Sequence, residues 1–553
     1  MPIKQCEKGI EFFMYNILAL TASILLPLVI LRKEITKGSN IKDFLQNNKI
    51  ILIIYVSLVV GFSVRLMFIA EFPNGLNVDE ASSAYEAYSI LNYGIDRNGN
   101  FMPVFLEAWG SGQNALYTYL AIPFIKILGL NVLSTRLPMA IIGCVSLIVM
   151  YKILKQTEND KLKTIGIIFF AITPWHIMKS RWGLESNIFP DLVLYATFFI
   201  MKYLKSKQIK NMYFSAIILG LCSYAYGTSY FFLPIFMILV LGYLYIKKEI
   251  KINHVITVLL TIFVISLPII ICLIINTFGL QEIKIFFVIP VLEENRYEEL
   301  SSIFGSNFIN SSLANFKESL KILILQNDKL GWNEIPIYGL TYVISLPFMI
   351  IGIYKSFKEK TKENWIFNFW FITAFLLMFV VEPNVNRINI IIIPIIYYTF
   401  LGLDIVFENI QLSKLFIPII YGSLFISFEI SYFTTDWNSF LTFSGNIENM
   451  IKYVDKIDTE KIYFEYTFKE PYIYICFYNK INTKEFVNTV KYKNNQKGFD
   501  AVESFGKYNF YIPSQIDENA VYVFKSGDEK KYNFKKDKWQ KEYIDNFVIL
   551  KAK

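Results

Sequence analysis

Two histidines and five cysteines in 553 residues leave little material for a metal centre or a disulfide framework. The cysteines (Cys6, Cys144, Cys222, Cys272, Cys476) show no CxxC spacing, and three of them lie inside apolar runs. Charge is scarce as well: 18% of residues are charged against 54% hydrophobic, more apolar surface than one soluble core can use. The first apolar run, Phe12 to Leu31, has no small-residue cleavage site after it; Arg32-Lys33-Glu34 follows, which argues against a signal peptide. There is no long low-complexity segment and no inverted repeat of the kind common in transporters. The net charge of +8 does not indicate a nucleic-acid partner, because the cations sit in short loops between apolar runs.

What is present is a series of uninterrupted apolar stretches between Phe12 and Phe433, each of roughly 17 to 22 residues and long enough to cross a hydrocarbon core as a helix. The expected fold class is an α-helical polytopic membrane protein of about 12 transmembrane helices. The expected crossings are 12–31, 50–70, 137–154, 164–180, 187–204, 212–226, 229–246, 255–276, 336–354, 364–382, 388–407 and 413–432. Basic loops around Lys33, Lys155, Lys205, Lys248 and Lys358 are expected on the cytoplasmic side, and the cation-poor loops between them outside. A crossing by Asn114 to Leu130 would break this alternation, so that segment is expected to lie in the outer interface. After Phe433 the pattern turns to alternating polar and aromatic residues, with strands expected at Lys461 to Phe468, Tyr472 to Tyr478 and Ala520 to Phe524, and a helix at Ile447 to Ile457. Three parts follow: 1–49, an extra helix and cytoplasmic loop; 50–433, the membrane domain; 434–553, a small α+β domain outside.

Four polar clusters fall at the outer helix ends on this scheme. The first is Asn77-Val-Asp79-Glu80, followed by an amphipathic helix candidate carrying Tyr85, Glu86 and Tyr88. Carboxylates at a lipid boundary lose hydration, so such a pair is a candidate for proton transfer, the alternative being a solvated loop. The second is Glu107-Ala-Trp109-Gly-Ser-Gly-Gln113, where glycines allow a close backbone approach to a ligand. In the third, Lys179-Ser-Arg181-Trp-Gly-Leu-Glu185, Arg181 and Glu185 stand four apart and could simply pair on a helix. The fourth is Asn384-Val-Asn386-Arg387-Ile-Asn389, where Arg387 could equally snorkel from a helix end. Arginines can bind a phosphate and a carboxylate can take a proton from an incoming hydroxyl, the two requirements of glycosyl transfer from a lipid phosphate. Trp109 and Trp182 are candidate platforms for a sugar ring. His176, alone within its helix, reads as a packed, hydrogen-bonded residue and not a metal ligand.

At these residues the chain resembles the GT-C glycosyltransferases, in particular the family 39 group with the protein O-mannosyltransferases and the lipid A aminoarabinose transferase. The shared elements are Asp79-Glu80 in the first outer loop, Tyr117 to Pro123 followed by Arg136-Leu-Pro138, and Thr173-Pro174 with Ser180-Arg181 and Glu185. They run from about Ile50 to Tyr432. The resemblance implies a GT-C fold and an inverting transfer of one sugar from a polyprenyl-phosphate donor that depends on a metal weakly or not at all. It makes Asp79 the base, with Glu80 beside it, and Arg181, Arg387 and Lys179 the donor-phosphate contacts. Glu185, Glu107, Trp109, Asn386 and Asn389 become substrate contacts. No cofactor is implied beyond the lipid-linked donor, and the partners are the bilayer, that donor, and a glycan, lipid or protein acceptor. Two departures stand out: Glu185 replaces the family's usual Asp, and the run Phe12 to Leu31 precedes the usual first helix. A transporter or flippase of lipid-linked saccharides is the alternative, and it calls for charges near mid-span. A non-catalytic surface assembly protein is a third reading.

Overall fold

The computed structural model describes residues 2–38, 40–157, 159–293, 307–335, 337–435, 443–465, 470–493, 498, 501–535 and 537–553. They form two compact units, each assembled from three separate stretches of chain: 1–69, 139–267 and 297–435 in one, 70–138, 268–296 and 436–553 in the other.

The first unit is helical. Among the described residues of the whole chain, seven helices are long and apolar enough to cross a membrane: Glu11–Leu31, Lys49–Leu66, Val132–Thr157, Ser229–Ile246, Ile252–Phe278, Val385–Asn409 and Ser413–Thr434. Other expected crossings are helices that are shorter or more polar, such as Lys210–Cys222 and Lys362–Leu377. The expected crossing 164–180 is two helices, Asp160–Ile172 and Pro174–Lys179. Pro174 cannot donate an N–H and pushes Thr173 into an extended conformation (φ −66°, ψ 121°), which ends the first helix. The carbonyls left without helical donors are met from elsewhere: Arg65 donates to the oxygens of Phe170 and Ala171 at 3.3 and 3.0 Å, and the Tyr342 hydroxyl to that of Ile172 at 2.8 Å. Helices Leu346–Glu359 and Ile392–Asn409 approach until backbone meets backbone. A Cβ at Gly352 would stand 1.8 Å from the Tyr398 oxygen and one at Gly402 1.9 Å from the Phe348 oxygen, so neither position admits a side chain.

The second unit carries the helix Val78–Tyr93, the helix Leu116–Leu128 and the C-terminal sheet. At 13 residues Leu116–Leu128 is about 20 Å long, short of a hydrocarbon core. The sheet has seven strands in the spatial order 539–544, 547–552, 521–525, 462–464, 508–509, 502–505, 491–492. Ile462–Phe464 runs parallel to both its neighbours; the other pairings are antiparallel. Two of its strands lie where the sequence places them, although 466–468 fall outside the described residues. The third expected strand is a helix, Pro471–Tyr478. Pro471 presets the first helical turn, and every residue from Pro471 to Phe477 is buried, so the run is a continuously covered apolar segment and not a two-sided strand. It packs on Val78–Tyr93, whose expected polar face is thereby covered: Glu80, Ala81, Tyr85, Glu86 and Ser89 are all buried.

Candidate active site

In the second unit the site begins at a helix start. Asn77 caps Val78–Tyr93, its side chain accepting from the Asp79 N–H at 2.8 Å while Glu80 accepts from the Asn77 N–H at 3.0 Å, a capping box. The two adjacent acids then part company. Glu80 is buried and takes a bidentate pair from Arg136, Nε to Oε1 at 2.9 Å and the second nitrogen to Oε2 at 3.0 Å. Arg136 also donates to the carbonyls of Pro73 and Gly75 and lies over the Phe443 ring. The Arg-Leu-Pro motif thus supplies the countercharge that locks Glu80. Asp79 is half-buried, and its Oδ1 accepts from the indole Nε1 of Trp109 at 3.1 Å.

Trp109 reaches Asp79 from the turn between two short antiparallel strands, Phe105–Leu106 and Gln113–Asn114. Its backbone is left-handed (φ 56°), as are those of Gly110 and Gly112. The room at Gly112 is used by the protein itself, since a Cβ there would lie 2.3 Å from the Phe105 ring and 2.9 Å from the Leu106 oxygen. One face of the indole is covered by the Arg97 guanidinium, 4.8 Å from the ring centroid, so Trp109 offers that face to Arg97 and not to a sugar. Gln113 donates to the Ser83 hydroxyl at 3.0 Å, and Asn98 to the Glu107 backbone oxygen at 2.8 Å. Glu107 is buried within electrostatic reach of Glu86 and Asp96. Burial pushes the Glu86 carboxyl up to about 8 against the opposing pull of Arg97. Burial likewise raises Asp96 to about 6, partly offset by hydrogen bonds from Asn98 and Asn100.

In the first unit Arg181 is fully buried. It donates to the backbone oxygens of Val64, Met67 and Phe68 at 2.7, 2.8 and 3.1 Å and to the Tyr432 hydroxyl at 3.2 Å, with the rings of Tyr432 and Phe433 against it. These bonds tie helix ends together. Arg181 and Glu185 do not share a helix: Ser180 caps Pro174–Lys179, and Glu185 opens Glu185–Ser206. Lys179 is buried too, paired with Asp191 and donating to the Asn187 oxygen at 3.2 Å. His176 is packed and hydrogen-bonded, accepting from Arg65 at Nδ1 (3.2 Å from Nε), which leaves Nε2 to donate to Asp191 Oδ1 at 3.3 Å. Trp182 is buried. Arg387 keeps part of its surface open while pairing with Glu382 at 2.6 Å on the short helix that Asn384 caps; Asn386, on the same turn, is half-buried. Asn389 is buried and holds the Ser186 oxygen at 2.9 Å. Sequence reading missed Arg65, Asp191 and Arg97; the first two are charges inside apolar runs, a signal of buried pairing in membrane proteins.

Residues 115–272 match the family model described as dolichyl-phosphate-mannose-protein mannosyltransferase. Among solved structures, the chain is similar to ArnT from Cupriavidus metallidurans bound to undecaprenyl phosphate, with a TM-score of 0.54 at 9% identity, over 91% of this chain and 98% of that one. It is similar also to the apo state of that protein, with a TM-score of 0.51 at 10% identity over the same shares. No curated protein matches the chain in sequence. The chain is a helical membrane protein that shares the fold of ArnT.

Proposed function

We propose that the protein transfers a single sugar from a polyprenyl-phosphate donor to an acceptor hydroxyl on the outer side of the membrane, with inversion and with Asp79 as general base. The observation that carries this reading is the division between two neighbouring acids: Arg136 pairs bidentately with the buried Glu80, while the half-buried Asp79 accepts from the Trp109 indole N–H. In the transfer, the acceptor oxygen forms the new bond to the anomeric carbon and gives its proton to the Asp79 carboxylate. The bond from that carbon to the phosphate breaks, and its electron pair leaves with the phosphate. The growing phosphate charge calls for a cation, and Arg387, part-exposed and paired with Glu382, is the candidate, while Arg181 and Lys179 frame the helix ends. Glu185 and Asn386 serve as substrate contacts. A donor of this chemistry is consistent with the undecaprenyl phosphate bound by ArnT, a protein of the same fold. Of the buried charges, Arg65 and Lys179 lie at or next to the last residues of their helices, while Asp191 lies inside Glu185–Ser206 and pairs with Lys179.

The test incubates membranes holding the protein with radiolabelled undecaprenyl-phosphate sugars and follows label into acceptor. Asp79→Asn is expected to abolish transfer, a loss of at least about a hundredfold, with insertion unchanged. Full transfer by that variant overturns the assignment of the base.

A further inference from the structure

Arg97 is buried in the second unit and bound on every side. Its Nε meets Glu86 Oε1 at 3.2 Å, its backbone N–H donates to Glu86 Oε2 at 2.8 Å, and a terminal nitrogen donates to the Ser82 hydroxyl at 2.7 Å. The guanidinium lies 4.8 Å from the centroid of Trp109 and 5.9 Å from that of Tyr472, on the C-terminal helix Pro471–Tyr478. Trp109 and Tyr472 also meet edge to face, with centroids 6.2 Å apart.

Trp109 is therefore held from two directions, and it needs to be. A non-glycine residue at φ 56° is strained and persists only where its surroundings over-determine it. Glycines at 110 and 112 would let the turn relax to other conformations if the indole were not fixed. A planar guanidinium suits this task better than an ammonium, because it stacks on a ring while its edge bonds in fixed directions.

We propose that Arg97 is a positioning residue for the transfer reaction: anchored by Glu86 and Ser82, and closed in by Tyr472 of the C-terminal segment, it fixes Trp109 so that the indole N–H holds the Asp79 carboxylate. The proposal rests on the reading of Asp79 as base. It gives the C-terminal segment a part in the active site that an appended module would not have. A donor bonded to a carboxylate favours its charged form. Among the described residues, Glu80, whose charge Arg136 meets, and the phenol of Tyr474 also face Asp79.

The test uses the full-length protein in lipid nanodiscs and compares Trp109→Phe, Arg97→Gln and Arg97→Lys with the parent chain. With the undecaprenyl-phosphate sugar that supports transfer, Trp109→Phe and Arg97→Gln are expected to lower kcat about tenfold with donor KM within about twofold. The acid limb of the pH–rate profile moves to higher pH, and Arg97→Lys falls between. A second readout needs no donor: a pH titration of indole fluorescence shows a step that Trp109→Phe and Asp79→Asn both remove and Arg97→Gln moves to higher pH. Parent-like rates and pH profiles in Trp109→Phe and Arg97→Gln overturn the proposal, as does a fluorescence step that survives Asp79→Asn. If the step behaves as expected while Asp79→Asn still transfers sugar at the parent rate, the positioning stands and the reading of Asp79 as base fails.

Discussion

Single residues divide the labour here through what they are bonded to, not through their type. Asp79 and Glu80 are neighbours in sequence and chemically almost alike, yet only Glu80 carries the bidentate arginine and the capping bond. The pair stands out in the sequence; which member Arg136 locks does not, because Arg136 lies 56 residues on and its approach is a tertiary fact. Glu86 shows the same limit. It reads as a helix-face acid, and the fold buries it with Arg97. Its carboxyl, raised to about 8 in the folded state, is protonated there over a pH range where the unfolded chain is ionised. The unfolded state then binds fewer protons, so stability falls as pH rises from about 4.5 through about 8 and levels off above. Glu86→Gln removes this dependence: the apparent Tm of the parent is expected to drop between pH 5 and pH 9 more than that of the variant, as read by thermal unfolding in nanodiscs.

Elements were legible where one rule governed them. The apolar runs gave most of the long helices, and the Asn-Val-Asp-Glu sequence is the capping box that starts Val78–Tyr93. Elements governed by competing rules were misread. Tyr472 to Tyr478 alternates weakly, but Pro471 and burial on all sides make it helical. The hairpin of Trp539–Ile544 and Phe547–Ala552 turns on Asp545 in the left-handed conformation, and sequence reading passed over it. Helix 164–180 was read through a proline that divides it. Packing between elements leaves a weaker trace still. The approach of Leu346–Glu359 to Ile392–Asn409 depends on Gly352 and Gly402, which look unremarkable in their runs. Gly402→Ala drives a Cβ into the Phe348 carbonyl and is expected to cost about 1–3 kcal/mol, seen as a lower apparent Tm. Gly422→Ala, whose Cβ would meet nothing within 4 Å, serves as the neutral control.

At the scale of the whole molecule, the second unit joins an early loop to the end of the chain. The Tyr474 hydroxyl donates to the Leu76 oxygen at 3.3 Å, that of Tyr85 to the Ile481 oxygen at 3.0 Å, and that of Thr483 to Ser89 at 2.7 Å. One apolar cluster runs from Leu76, Ala81 and Tyr85 through Trp109 to Ile473, Phe477 and Ile549. A chain ending at 435 would expose the covered side of Val78–Tyr93 and leave Trp109 without Tyr472. Such a truncation is expected to lower the yield of folded protein and to abolish transfer, measured by size-exclusion chromatography and the radiolabel assay; transfer at the parent level would make the tail an independent module.

The sequence by itself determined the membrane class and the helix that follows the acidic pair, because apolar run length and helix patterning are local properties. Tertiary structure alone decided which acid pairs with Arg136, which arginines are bound up in structure and what the tail packs against. Those outcomes depend on contacts between residues tens to hundreds of positions apart, where burial and charge pairing act without leaving a pattern in any one stretch of chain.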